Sequence, residues 1–254
     1  LIDSKVDYIF YPSMNYNFDE KLGTNHYNCP VVAYYPQVIR GNVNNLNKDA
    51  FIDDFVSLVD KKQFNKRIKS IIKYYGIEVT DSKLKKAVEK SYEAYNNYLL
   101  KVRTKAEEFI SIAKQKDMPI IVLCGRPYHV DPEVNHGINK LITSLGAVVI
   151  TEDSISHKVK PFKTKVMNQW TYHSRLYAAA KYVCESNKNI NLVQLVSFGC
   201  GVDAVTTDEV RRIIESKDKV YTQIKIDEIS NMGAVTIRLR SLLAIIDNKN
   251  VKNK

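Results

Sequence analysis

Beyond Pro119 the chain changes texture. A continuous apolar run from Ile120 to Cys124 is followed by a helix-type pattern up to Leu145, and a second apolar run spans Ala147 to Ile150. Short unbroken apolar runs separated by helical stretches point to parallel strands joined by crossover helices, because such a sheet is covered on both faces and loses the in–out alternation of an antiparallel one. The rhythm continues with a helix near Trp170 to Ser186, a strand from Leu192 to Val196, a helix from Asp208 to Ser216, a strand from Val220 to Ile226 and a closing helix from Ala234 to Asn248. Residues 118–254 are therefore expected to form a doubly wound α/β domain.

Upstream, Val6 to Phe10 is a β-rich run ending at Tyr11-Pro12-Ser13. Residues 14–30 read as an irregular loop closing on Cys29-Pro30, and Val31 to Ala33 is a further apolar run. These make a partial N-terminal α/β lobe over residues 1–47. A helical connector is expected over 48–117. Phe51, Ile52, Phe55, Leu58 and Val59, then Phe64, Ile68, Ile71 and Ile72, recur at three- and four-residue steps and predict two amphipathic helices stopped by Gly76. After the cap region Thr80-Asp81-Ser82, a pattern free of Gly and Pro from Leu84 to Lys116 predicts one long helix. The expected class is α/β: two Rossmann-like, parallel-sheet lobes joined by a helical segment.

Composition removes several alternatives. With 254 residues, 44% hydrophobic, 26% charged and only 9 Gly and 7 Pro, the chain is neither disordered nor collagen-like. None of its apolar runs approaches the roughly 20 residues of a membrane span, so no membrane partner is expected. Lys and Arg exceed Asp and Glu by 38 to 28, an excess that permits anionic ligands without naming one. Tyr92, Tyr95 and Tyr98 lie at helical spacing and read as packing residues, so nucleic acid is not expected as a partner. Neither G-x-G-x-x-G nor G-x-x-x-x-G-K-[ST] occurs, which leaves standard nucleotide binding without support. The four cysteines, Cys29, Cys124, Cys184 and Cys200, are widely spaced, and no secretory pattern accompanies them; a reducing cytoplasm fits. The start at Leu1, with no initiator Met and no leader pattern, reads as a fragment or a processed chain.

In doubly wound sheets ligands bind at the carboxyl ends of strands, so the residues after each apolar run are the candidates. Gly125-Arg126-Pro127-Tyr128-His129 follows the first. Gly125 allows close backbone approach, Arg126 can clamp an anion, and Tyr128 and His129 can donate or relay protons; a plain turn satisfying loop carbonyls is the competing reading. Asp131-Pro132-Glu133 is a good helix start, with Asp131 as cap, and places His136 one turn into that helix. Glu152-Asp153 after the second run suits acid/base work, or else a cap or a pairing with Lys158. The third run leads into Ser197-Phe198-Gly199-Cys200-Gly201, where two glycines expose the amides around a sulfur and a following helix brings a positive dipole. The fourth ends in Lys225-Ile226-Asp227-Glu228.

These segments, together with Asn135-His136-Gly137, Asp7-Tyr8-Ile9-Phe10-Tyr11-Pro12-Ser13 and Asn28-Cys29-Pro30-Val31-Val32, resemble the uncharacterised domain of long CoA-substrate-specific enzyme activase proteins of anaerobic bacteria, which is similar to the subunits of 2-hydroxyacyl-CoA dehydratases. The resemblance implies a [4Fe–4S] cluster held by three cysteines from separate loops. Cys29 and Cys200 occupy two of these positions, with Gly199 and Gly201 flanking the second, and the third falls upstream of Leu1. Soft thiolates on strand-end loops suit iron and sulfur. Arg126, Tyr128 and His129 would then line the adjoining pocket and orient an acyl-CoA or another small anionic ligand. Cys124 and Cys184 remain structural. The implied function is an iron-sulfur redox or dehydratase-like module, whose partner is the rest of an activase polypeptide or a dehydratase-like subunit. No phosphate motif of the ATPase module occurs in this chain. Two other readings of the same residues stand beside this one: a metal-free anion-binding or interaction module, and an enzyme using Cys200 as nucleophile with His129 as base.

Overall fold

In a computed structural model the chain divides into two units, Leu1–Asn97 with Gln169–Thr171, and Tyr98–Asn168 with Tyr172–Lys254. The structure describes every residue except 187–188, 198, 227–231 and 253–254, together with the side chains up to residue 247. Asp227 and Glu228 therefore lie outside the described residues.

The first unit is built on two parallel strand pairs. Strand β1 (Ile9–Phe10) lies beside β3 (Phe51–Ile52), and β2 (Ser13–Tyr16) beside β4 (Phe55–Ser57). Between them in sequence come helix α1 (Pro30–Asn42) and a 3-10 turn at Lys48–Ala50; helix α2 (Lys61–Tyr74) and the start of helix α3 (Asp81–Gln115) follow. The helix expected from residue 48 is thus replaced by two short strands. Phe51 and Ile52 are both buried, and the neighbouring Asp53 and Asp54 are taken by Arg40 and Arg67. Aromatic and β-branched residues with parallel partners on hand follow strand pairing rather than their three-and-four spacing. The run at Val31 opens α1, which Pro30 starts at its first position, where a missing N–H costs nothing. Phe18 stacks on Tyr95 with ring centroids 4.5 Å apart and meets Tyr92 edge-on at 5.3 Å, so these two α3 tyrosines pack as expected.

The second unit holds a four-stranded parallel sheet. Its strands are β5 (Ile120–Cys124), β6 (Val148–Thr151), β7 (Ile190–Val196) and β8 (Thr222–Lys225), in the order β6-β5-β7-β8. The connections carry α4 (Ile138–Ser144), α5 (Glu152–Ile155), α6 (Thr171–Glu185) and α7 (Gly201–Glu215), and α8 (Met232–Lys252) closes the chain. Alternate residues of β5 face opposite cores. Ile120, Val122 and Cys124 pack with Ala106, Ile110 and Ala113 of α3, with α6 and with α7. Ile121 and Leu123 pack with Ile138 and Ile142 of α4 and with Val235 and Leu239 of α8. Each fully buried Ile or Leu contributes about 1.5–3 kcal/mol, and a sheet layered on both faces explains why its strands read as unbroken apolar runs.

Two boundaries differ from expectation. Helix α7 starts at Gly201, not at Asp208. The stretch after Asp131 is a series of turns, and the helix waits until Ile138, after His136 and Gly137 have both taken left-handed backbone (φ 54° and 74°). His136 therefore precedes the helix. Asp131 therefore caps no helix N-terminus; its Oδ1 accepts from the Glu133 and Val134 amides within the turns.

Candidate functional site

Strand β5 is central, β6 flanks it on one side and β7 on the other. The chain therefore leaves β5 in one direction and, after β6, crosses to the opposite side. At such a reversal the loops after the two neighbouring strands diverge and leave a crevice at their carboxyl ends. Those loops are the two that hold Arg126 and Cys200.

Arg126 joins them. It is 5% exposed; its Nη1 donates to the Cys200 Sγ at 3.1 Å and its Nη2 to the Asp203 Oδ2 at 2.7 Å. The same carboxylate oxygen accepts the Ser197 amide at 3.0 Å. Asp203 lies in the first turn of α7, where a carboxylate also meets the positive end of the helix. One buried ion pair thus fixes the loop after β7, the start of α7 and the position of the thiol. Cys200 is the N-cap residue of α7, and Gly199, with φ 79°, lets the chain turn sharply into it. Among the described residues a Cβ at Gly199 or Gly201 would meet nothing within 4 Å, so the positions on either side of Cys200 are open.

His129 sits just behind. Its Nδ1 accepts the Arg126 amide and its Nε2 pairs with the Ser197 Oγ, both at 3.1 Å. An accepting Nδ1 assigns the proton to Nε2, which then donates to Ser197. Burial, and then the Arg126 charge, push the imidazole down to about 3, so it stays neutral. With both nitrogens engaged in this way, His129 holds the turn together and is not set against the Cys200 sulfur as a base. Tyr128, nearly half exposed, shares the Ser197 hydroxyl at 3.1 Å and lies under the Arg126 guanidinium, 5.1 Å from ring centroid to Cζ. Gly125 is required here: a Cβ would fall 2.5 Å from His129 Nδ1.

Two buried groups complete the cluster. His173 of α6 brings its Nε2 to 3.9 Å from Asp203 Oδ1, too far for a hydrogen bond, and burial beside Arg126 lowers it to about 4. Glu152, at the end of β6, is 2% exposed and is raised to about 8 by burial first and by Asp153 second. It holds its proton at neutral pH. Lys158, a possible partner for these carboxylates, pairs with Glu107 instead.

The remaining cysteines divide as follows. Cys29 is a buried N-cap of α1 in the first unit, next to Asn28, whose amide donates to the Met14 carbonyl. Cys124 is fully buried and its thiol is pushed well up; Cys184 donates to the Ile213 carbonyl at 3.2 Å. Both are structural. Arg126, Tyr128, His129, Cys200, Gly199 and Gly201 come together at one crevice. Ser197, Asp203 and His173 join them without having been singled out from sequence. A helix start placed at Gly201 would have exposed Asp203 as its first-turn carboxylate, whereas nothing in the sequence marks His173.

The family model of the CoA enzyme activase uncharacterised domain, DUF2229, matches residues 1–155. The chain belongs to this family. No curated protein matches it. The activase-family match takes in Cys29, Arg126, Tyr128, His129 and Glu152, while His173, Ser197, Cys200 and Asp203 follow its end. Among the described residues no helix is long and apolar enough to cross a membrane.

Proposed function

We propose that this activase-family chain is an iron-sulfur, dehydratase-like module working with the rest of an activase polypeptide, or with a dehydratase-like partner, in the reducing cytoplasm. The Arg126–Cys200 hydrogen bond at the strand-end crevice is the observation that carries this reading. A thiol between two open glycine positions, at the positive end of a 15-residue helix, suits a soft metal in chemistry and in room. No group of three or more His, Cys, Asp or Glu fit for a metal occurs among the described residues; Cys200 and Cys29 enter this reading as the two cysteines that the family resemblance names.

When bound, a [4Fe–4S] cluster supplies one-electron chemistry. The chain's own residues do the rest. Arg126 pairs with Asp203 and, through its second nitrogen, donates to the Cys200 sulfur and orients it. His129, neutral, positions the Arg126 amide and the Ser197 hydroxyl. Tyr128, nearly half exposed, offers its hydroxyl to an acyl-thioester or other small anionic ligand. The anion-binding form of the metal-free alternative needs Arg126 as a free clamp, but two of its guanidinium nitrogens are already engaged by Cys200 and Asp203; the interaction-module form does not depend on Arg126.

Anaerobic reconstitution with iron and sulfide, followed by visible absorption and iron counting, tests this for the chain and for a version extended upstream of Leu1. A stable cluster in the extended protein, lost in Cys200→Ala and in Cys29→Ala, is the expected result. Absence of bound iron from both versions returns the two cysteines to structural roles.

A further inference from the structure

Helix α1 of the first unit is amphipathic in the wrong sense. Its polar side chains are turned inward: Gln37 accepts the Ser13 hydroxyl at 2.7 Å and donates to the Asp53 carbonyl at 3.0 Å, and Arg40 binds both Asp53 carboxylate oxygens and the Lys48 and Phe51 carbonyls. Ala33 and Pro36 fill the space between them. The outward face holds Val31, Tyr34, Tyr35 and Val38, between 48% and 57% exposed. This i, i+3, i+4, i+7 set is a continuous apolar stripe on solvent. Phe55, 39% exposed, extends it through an edge-to-face contact with Tyr34 at 5.7 Å.

The stripe reads the same in both directions: Val, Tyr, Tyr, Val. A twofold axis crossing the helix midway between Tyr34 and Tyr35 sets Val31 against Val38 of a second copy, and Tyr34 against Tyr35. An isologous interface demands such self-complementarity. Charge points the same way. The chain carries a net +10, which opposes association of two copies in general, but the only charged residue of α1 is Arg40, which faces inward on Asp53. Gly41 near the C-terminal end of the helix has nothing within 4 Å of a Cβ position and allows a second helix to approach closely.

We infer that the α1 stripe is a homodimer seam, the α1 helices of two copies packing antiparallel across it. Three half-exposed aromatic rings and two valines offer on the order of 400 Å² per copy. A standard interface takes about 800 Å² per partner, so the helix forms the apolar centre of a reversible dimer rather than of an obligate one.

Sedimentation equilibrium of the whole chain over a concentration series tests the seam. The wild type is expected to show a concentration-dependent monomer–dimer equilibrium. Y34E/Y35E puts like charges opposite each other and is expected to weaken the dimer at least tenfold. Y34E/Y35K places Glu against Lys across the twofold axis and is expected to restore it, whereas a generic sticky patch would be disrupted equally by both variants. Unchanged circular dichroism in the variants shows that folding is intact; if Y34E/Y35E does not fold, V31K/V38K replaces it as the like-charge variant. A wild type monomeric throughout, a dimer indifferent to the like-charge variant, or failure of Y34E/Y35K to recover would each overturn the inference.

Discussion

The Arg126 Nη2 lies 2.7 Å from the Asp203 Oδ2, and both residues are 5% exposed. Breaking such a pair from one side leaves a charge buried without its counterion, which typically costs about 3–5 kcal/mol, whereas replacing both partners with apolar residues is far milder. Asp203→Asn is therefore expected to lower the urea midpoint steeply, the more so because the Ser197 amide loses its charged acceptor. Arg126→Met/Asp203→Leu is expected to recover much of the loss. Equal midpoints for wild type and Asp203→Asn would show that the pair is not held in a desolvated setting.

The second unit was legible because burial on both sheet faces writes itself as apolar runs, and the strand-end rule then pointed to Arg126, His129 and Cys200. Residues 48–59 are not, since Phe51, Ile52 and Phe55 fit helical spacing and strand composition equally well, and parallel partners that start at Ile9 and Ser13 decide between them. Asp203 escaped for a local reason. The Gly-Cys-Gly turn reads as loop, which puts the expected helix start at Asp208, seven residues late, and hides Asp203 as a first-turn carboxylate. His173 owes its place to the packing of α6 on the sheet, a long-range relation that one sequence does not record.

Glu152 predicts a loss of stability on the alkaline side. Its folded carboxyl is held at about 8 against an ordinary 4.5. The folded state therefore keeps a proton that the unfolded chain has released. The resulting stabilisation is complete below pH 4.5 and is lost as pH rises toward 8, with a slope of about 1.4 kcal/mol per pH unit for one proton. Glu152→Gln carries no such proton. Urea midpoints of the two proteins, followed from pH 5 to pH 8, should diverge steadily in favour of the Gln variant; parallel curves would refute the buried acid.

The histidines act on the other limb. His129 at about 3 and His173 at about 4 stay neutral in the folded state, while unfolded histidine, near 6.5, takes up a proton. Here the unfolded chain binds more protons, so the stabilisation is present above pH 6.5 and is lost as pH falls toward 4. Two protons give a slope of about 2.7 kcal/mol per pH unit, of which Glu152 offsets about half. Together the three groups place maximum stability near pH 6.5. Thermal unfolding of His173→Gln across the acid range should show roughly half the histidine slope, and an unaltered acid limb would remove His173 from this account.

Two glycines at the crevice should respond in opposite ways to the same substitution. At Gly125 an added methyl would lie 2.5 Å from His129 Nδ1 and 2.8 Å from its Cβ, forcing the ring off the Arg126 amide. Overpacking of this kind costs about 1–3 kcal/mol. Gly201 is the first residue of α7, its backbone is not left-handed, and its methyl would enter open space. Alanine there gains up to about 1 kcal/mol in helix propensity and in reduced unfolded-state entropy. In a chain of this size 1 kcal/mol moves the Tm by about 2–4 °C, so scanning calorimetry should separate Gly125→Ala, shifted down, from Gly201→Ala, unchanged or shifted up. A fall in both would mean that the space beside Cys200 is closed, and would weaken the case for a bulky group on its sulfur.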